Sequence, residues 1–151
     1  MNFQVNDLFK EWVSNDFNPR ETDNYKFNSE LLNEGITVID GCYFFRSFAP
    51  VKGPDTNDNY DRTGIECTFN KVSMDDIVSA ESAQEQLNHG LYFAYELAKK
   101  LEAQFGHNFN VILSYDKEYC FVQFHKVREG EKWLDDDLNN YKMEAILKIL
   151  T

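Results

Sequence analysis

Residues 79–106, SAESAQEQLNHGLYFAYELAKKLEAQFG, constrain the fold more than any other part of this chain. Ala83, Leu87, Leu91, Ala94, Ala98, Leu101 and Phe105 recur at steps of four, four, three, four, three and four, so they line one face of a helix. Ser79 or Ser82 supplies a cap and Gly106 a stop, which predicts one helix over about residues 82–105. Such a helix has a single apolar stripe and must lie on an apolar surface supplied by the rest of the chain.

Strand signals supply that surface. ITVI and CYFFRSF, within a strand-like stretch over residues 25–51, flank Asp40-Gly41, a pair suited to a type I′ turn. FNVILSY and YCFVQFHKV flank Asp116-Lys117-Glu118 and are apolar enough to be central strands. IECTFNKV sets Ile65, Cys67, Phe69 and Lys71 against Glu66, Thr68, Asn70 and Val72, an alternation that predicts a half-buried strand. Asn6 caps a short helix carrying Leu8 and Trp12, ended by the polar residues 14–24. Residues 50–64, PVKGPDTNDNYDRTG, read as an exposed loop. In the closing stretch Leu134, Leu138, Tyr141, Ala145 and Ile149 keep helical steps, while KMEAILKIL also alternates as an edge strand; the expectation is a helix from near Trp133. The resulting fold class is α+β, one domain over residues 1–151. An antiparallel sheet of about five strands carries the long helix on one face, with shorter terminal helices beside it.

Apolar residues at 42% and aromatics at 15% exclude a disordered chain. The net charge of -11 is distributed as -5 over residues 1–64, -4 over 65–106 and -2 over 107–151, so it belongs to the whole surface. A surface of that sign repels phosphate backbones and anionic lipid and attracts basic partners. Direct binding to nucleic acid or membrane is therefore not expected. Cys42, Cys67 and Cys120, odd in number and set among apolar residues, read as buried free thiols of a reducing compartment. With neither a leader pattern nor a span of about 18 apolar residues, the expected location is cytoplasmic.

Catalytic and metal signatures find no support. His89, His107 and His125 lack partners at metal-ligand spacing, and there is no nucleophile elbow or phosphate-cradling glycine loop. Asp55, Asn57, Asn59, Asp61 and Glu66 fall at calcium-loop positions, but Tyr60 stands where the turn needs glycine, so no metal or cofactor is predicted. The candidate binding residues are instead acids beside aromatics: Asp55, Asp58 and Asp61 around Tyr60, and Asp135, Asp136 and Asp137 between Trp133 and Tyr141. Rings supply desolvated contact area and acids supply steering toward a basic protein partner. The structural alternative places Trp133 and Tyr141 in the core of a last helix, with the three aspartates in its first turn, where the dipole favours each by about 0.3 to 1 kcal/mol.

The closing run CFVQFHKVREGEKWLDDDLNNYKMEAILKIL, in a small acidic chain, resembles in overall character the immunity proteins that bacteria encode beside polymorphic or contact-dependent toxins. The resemblance implies a non-enzymatic inhibitor that binds a cognate toxin, often a basic nuclease, and occludes it. Two alternatives stand beside it: a small hydrolase using a carboxylate with His125, and an acidic nucleic-acid mimic.

Overall fold

Five strands make one antiparallel sheet in the order β1-β7-β5-β6-β4. They are β1 (Asn2–Val5), β4 (Val72–Ser73), β5 (Phe109–Tyr115), β6 (Cys120–Lys126) and β7 (Ala145–Leu150). The computed structural model describes residues 1–13, 29–52, 60–79 and 82–151. Apolar β5 lies at the centre, paired with β6 from Phe109↔Lys126 to Tyr115↔Cys120 and with β7 from Asn110↔Leu150 to Tyr115↔Ala145. A second sheet of two strands, β2 (Ile36–Ile39) and β3 (Cys42–Phe45), pairs Ile39 with Cys42 across Asp40-Gly41. Both turn residues have positive φ, 51° and 78°, as a type I′ turn requires. The expected α+β architecture is thus present.

The long helix, α4 (Ala83–Phe105), is unbroken. Ser82 Oγ accepts from Glu85 N at 3.1 Å, and Gly106 leaves the helix at φ 79°. Leu87, Leu91, Ala94, Leu97, Ala98 and Leu101 share one core with Val111, Leu113, Val122, Phe124 and Leu147 of the sheet. Each fully buried leucine contributes about 1.5 to 3 kcal/mol. Gly90 is where helix and sheet come closest. A Cβ there would overlap Cys120 Sγ, with Leu113 Cδ1 at 3.2 Å and Met74 Cγ at 3.3 Å. Gly90→Ala is therefore expected to lose about 1 to 3 kcal/mol in urea denaturation despite the better helix propensity of alanine. An unchanged midpoint would mean that this contact relaxes freely.

Three local expectations are corrected. IECTFNKV contributes to a helix, α3 (Arg62–Phe69), and only Val72–Ser73 is strand. Asp61 caps α3 by accepting from Gly64 N at 2.7 Å, and Glu66 and Asn70 share a buried face at a helical step of four. Those same letters satisfy a period of two, which is why alternation misled. Within the strand-like stretch, Glu30–Glu34 forms α2, capped by Ser29. At the end of the chain no α-helix starts near Trp133. A 3-10 turn over Leu138–Asn140 precedes β7, whose pairing on both sides with β1 and β5 overrides the helical spacing of its residues. The first helix forms as expected, α1 (Asp7–Trp12), behind a strand β1 that the sequence reading did not assign.

Candidate functional site: the sheet face beneath Trp133

Alternation along the strands places Val111, Leu113 and Tyr115 in the α4 core and leaves Ile112 and Ser114 for the opposite face. Ile112 and Ile146 on that face are buried by Leu138, with Leu134 and Tyr141 packed against the cluster. These cover the sheet only in part. A cleft of about 450 Å³ remains, lined by Cys67, Lys71, Gln123, Trp133, Tyr141 and Glu144 among others. Trp133 is 38% exposed; with the Gln123 amide assigned so that its oxygen faces the indole, Nε1 donates to that oxygen at 2.8 Å and the Gln123 nitrogen donates to Cys67 O at 3.3 Å. The ring is therefore held at the rim of the cleft, neither in the core nor free.

The aspartates follow in an irregular loop. Asp135 N donates to Tyr141 Oη at 3.0 Å, closing the loop on itself. Asp136 pairs with Lys132 at 2.7 Å, its side chain 89% exposed, and that lysine holds its carboxyl below the usual range. Asp137 Oδ1 accepts from Asn139 N at 3.0 Å and caps the 3-10 turn. The first-turn explanation for the three acids is thus replaced by a cap at Asp137 alone. Of the other predicted residues, Asp55 and Asp58 lie outside the described residues. Tyr60 is exposed beside Gly64, and Asp61 is committed to capping α3.

Between the two sheets lies a polar junction that no motif announced. Glu66, fully buried, accepts from Tyr43 N (2.8 Å) and Arg128 Nη2 (2.6 Å) on one oxygen, and from Lys126 N (2.7 Å) and Arg128 Nη1 (3.0 Å) on the other. One turn on, Asn70 Oδ1 accepts from Phe45 N at 3.1 Å, and Nδ2 donates to Tyr43 O at 2.8 Å and Phe124 O at 3.3 Å. The side chains of α3 thereby satisfy backbone groups of β3 and β6 and join the hairpin to the main sheet. Burial works against the charge of Arg128, but the hydrogen bonds and charge of Glu66 outweigh it and hold the guanidinium above its ordinary value. Glu131 Oε2 accepts from Thr63 N (3.1 Å) and Oγ1 (2.7 Å); these bonds and Arg128 overcome its desolvation and lower its pKa. A spacing of four between Glu66 and Asn70 was the available signal, hidden by the strand reading.

His125 is buried, and burial lowers its pKa. Its neutral ring has Nδ1 donating to Lys126 O at 2.9 Å and Nε2 accepting from Asn110 Nδ2 at 3.4 Å. Cys42, Cys67 and Cys120 are free and buried; burial raises all three thiols, Cys120 to about 12, so they stay protonated. Among the described residues no group of three or more His, Cys, Asp or Glu could hold a metal ion, and no helix is long and apolar enough to cross a membrane.

No curated protein and no solved structure matches this chain. Its sequence does match a family profile from residue 4 to residue 149, nearly from end to end, and the chain belongs to the uncharacterized protein PM0498 family.

Proposed function

We propose that this is an immunity-type protein that binds a basic protein toxin in the bacterial cytoplasm and neutralises it by occlusion, without catalysis. The observation that carries the reading is the loop over the cleft. Trp133, held at the rim by Gln123, stands beside Asp135 and Asp136, whose carboxylates are exposed and cap no α-helix. A desolvatable ring ringed by acids suits capture of a basic surface, with the distributed charge of -11 speeding encounter. Exposed Tyr60, at the capped end of α3, is a second candidate aromatic contact.

The test is co-expression and binding with the toxin encoded next to this gene. Trp133→Ala is expected to weaken the complex by about 2 kcal/mol or more, chiefly through faster dissociation. Asp135/Asp136→Ala leaves the Asp137 cap intact and is expected to slow association by about tenfold at low salt, with the difference shrinking as salt rises. Asp61 is excluded from the series because its loss would uncap α3. Full protection by both variants, each folded by circular dichroism, would refute this interface.

A further inference from the structure

The two edges of the five-stranded sheet are finished differently. At the β4 edge the strand is two residues long, and beyond it Glu66 Oε2 and Asn70 Nδ2 occupy Lys126 N and Phe124 O of β6. The β1 edge, Asn2–Val5, carries no charge or proline, no strand among the described residues covers it, and Phe3 is 39% exposed. These are the features that protected edges avoid.

The register fixes which backbone groups are open. β1 pairs antiparallel with β7 from Asn2↔Leu150 to Val5↔Leu147, and Asn6 N continues that ladder to Ile146 O at 3.2 Å. In an antiparallel pair the N–H and C=O of alternate residues point to the same side. Asn2 and Gln4 therefore turn theirs toward β7, as Asn6 does its N–H, and Phe3 and Val5 turn theirs outward. Side chains alternate in the other sense. Phe3 stacks on Tyr95 of α4 and Val5 packs against the core, so the odd residues lie on the α4 face and Asn2 and Gln4 on the other.

We infer that β1 is a self-pairing edge, through which two copies of this chain join their sheets antiparallel about a two-fold axis at Gln4. Outward-facing Phe3 and Val5 lie symmetrically about that residue, so the same strand supplies both halves of the ladder. Phe3 and Val5 of one copy exchange N–H···O=C bonds with Val5 and Phe3 of the other, four bonds in all. On the α4 face each Phe3 meets a Val5; on the other face the two Gln4 amides meet in the closely spaced, non-hydrogen-bonded position. An isologous interface needs this self-complementarity. An edge only four residues long buries less than the roughly 1,000 Å² of a stable complex, so the dimer is weak and concentration-dependent.

Sedimentation equilibrium of the full chain up to about 1 mM should show a mass rising from 17.7 kDa toward twice that value. Gln4→Glu is the discriminating variant. Lys148 stands opposite Gln4 within the chain, so a carboxylate there is tolerated by the monomer, while the axis sets two carboxylates against each other. It is expected to weaken self-association about fivefold. Mixing Gln4→Glu with Gln4→Lys/Lys148→Gln, which removes the like charge opposite residue 4 within the chain, should restore association as a heterodimer, because only this axis brings residue 4 against itself. Wild type that stays at a single-chain mass throughout, or dimerisation indifferent to charge at residue 4, would overturn the inference. Neither result bears on the toxin-binding face, which is read out by a different partner.

Discussion

Replacing Glu66 by alanine is expected to lower the unfolding free energy by about 3 to 5 kcal/mol, the usual consequence of stranding one member of a buried ion pair. Glu66 is fully buried and the side chain of Arg128 is 16% exposed, so water does little to replace the lost carboxylate. The substitution also leaves Tyr43 N and Lys126 N without their acceptors. Since a domain of this size has only about 5 to 15 kcal/mol in total, the loss is a large share of it. Urea denaturation followed by far-ultraviolet circular dichroism measures the loss. A second variant separates charge from packing: Glu66→Gln/Arg128→Met removes both charges, and should cost clearly less than Glu66→Ala alone. A single-variant loss under about 1 kcal/mol would show that water reaches the guanidinium and that the junction contributes little.

Asn6→Ala should cost about 2 to 4 kcal/mol, because one amide serves two ends of the fold. Its Oδ1 accepts from Phe9 N at 2.9 Å, capping α1, and from Ile146 N at 2.9 Å in β7; its Nδ2 donates to Glu144 O at 2.7 Å. Asn6→Asp keeps both acceptor roles but loses the donor and turns a carboxylate oxygen toward the Glu144 carbonyl. It should therefore retain α1 while loosening the entry into β7. Hydrogen exchange distinguishes the two variants: alanine deprotects the amides of Phe9 and Ile146 together, whereas aspartate leaves Phe9 protected. Equal protection in both would reduce Asn6 to an ordinary cap.

What could be read from sequence followed from how strongly each pattern depends on local chemistry. The α4 helix repeats its apolar stripe over six turns, and Asp40-Gly41 demands two positive φ values that few other pairs accept, so both were legible. Ile65, Cys67 and Phe69 were misread because eight residues containing both periods cannot say whether Glu66 and Asn70 are solvent-facing strand positions or one buried helix face. The deciding partners, Tyr43 and Arg128, lie 23 and 62 residues away. Ala145 and Ile149 failed for a related reason: their helical spacing lost to an open edge of β5 that only tertiary structure reveals. At the candidate site, Trp133 and the aspartates stand out in sequence as acids beside aromatics, but Gln123, which holds the indole, looks in sequence like one polar residue inside an apolar strand.

The order β1-β7-β5 seats β7, late in the sequence, between β5 and the early strand β1. Until Ala145–Leu150 has been synthesised, Asn2–Val5 has no neighbour in the sheet and β5 is bonded on one side only. Thr151 completes the seam, giving its N–H to Phe109 O and accepting from Asn108 N. The hairpin of β5 and β6 and the helix α4 can assemble during translation, but the sheet closes only when β7 joins β1 and β5. A nascent chain halted before β7 therefore displays two unsatisfied strand edges to its neighbours, the exposure that makes partly folded chains prone to aggregate.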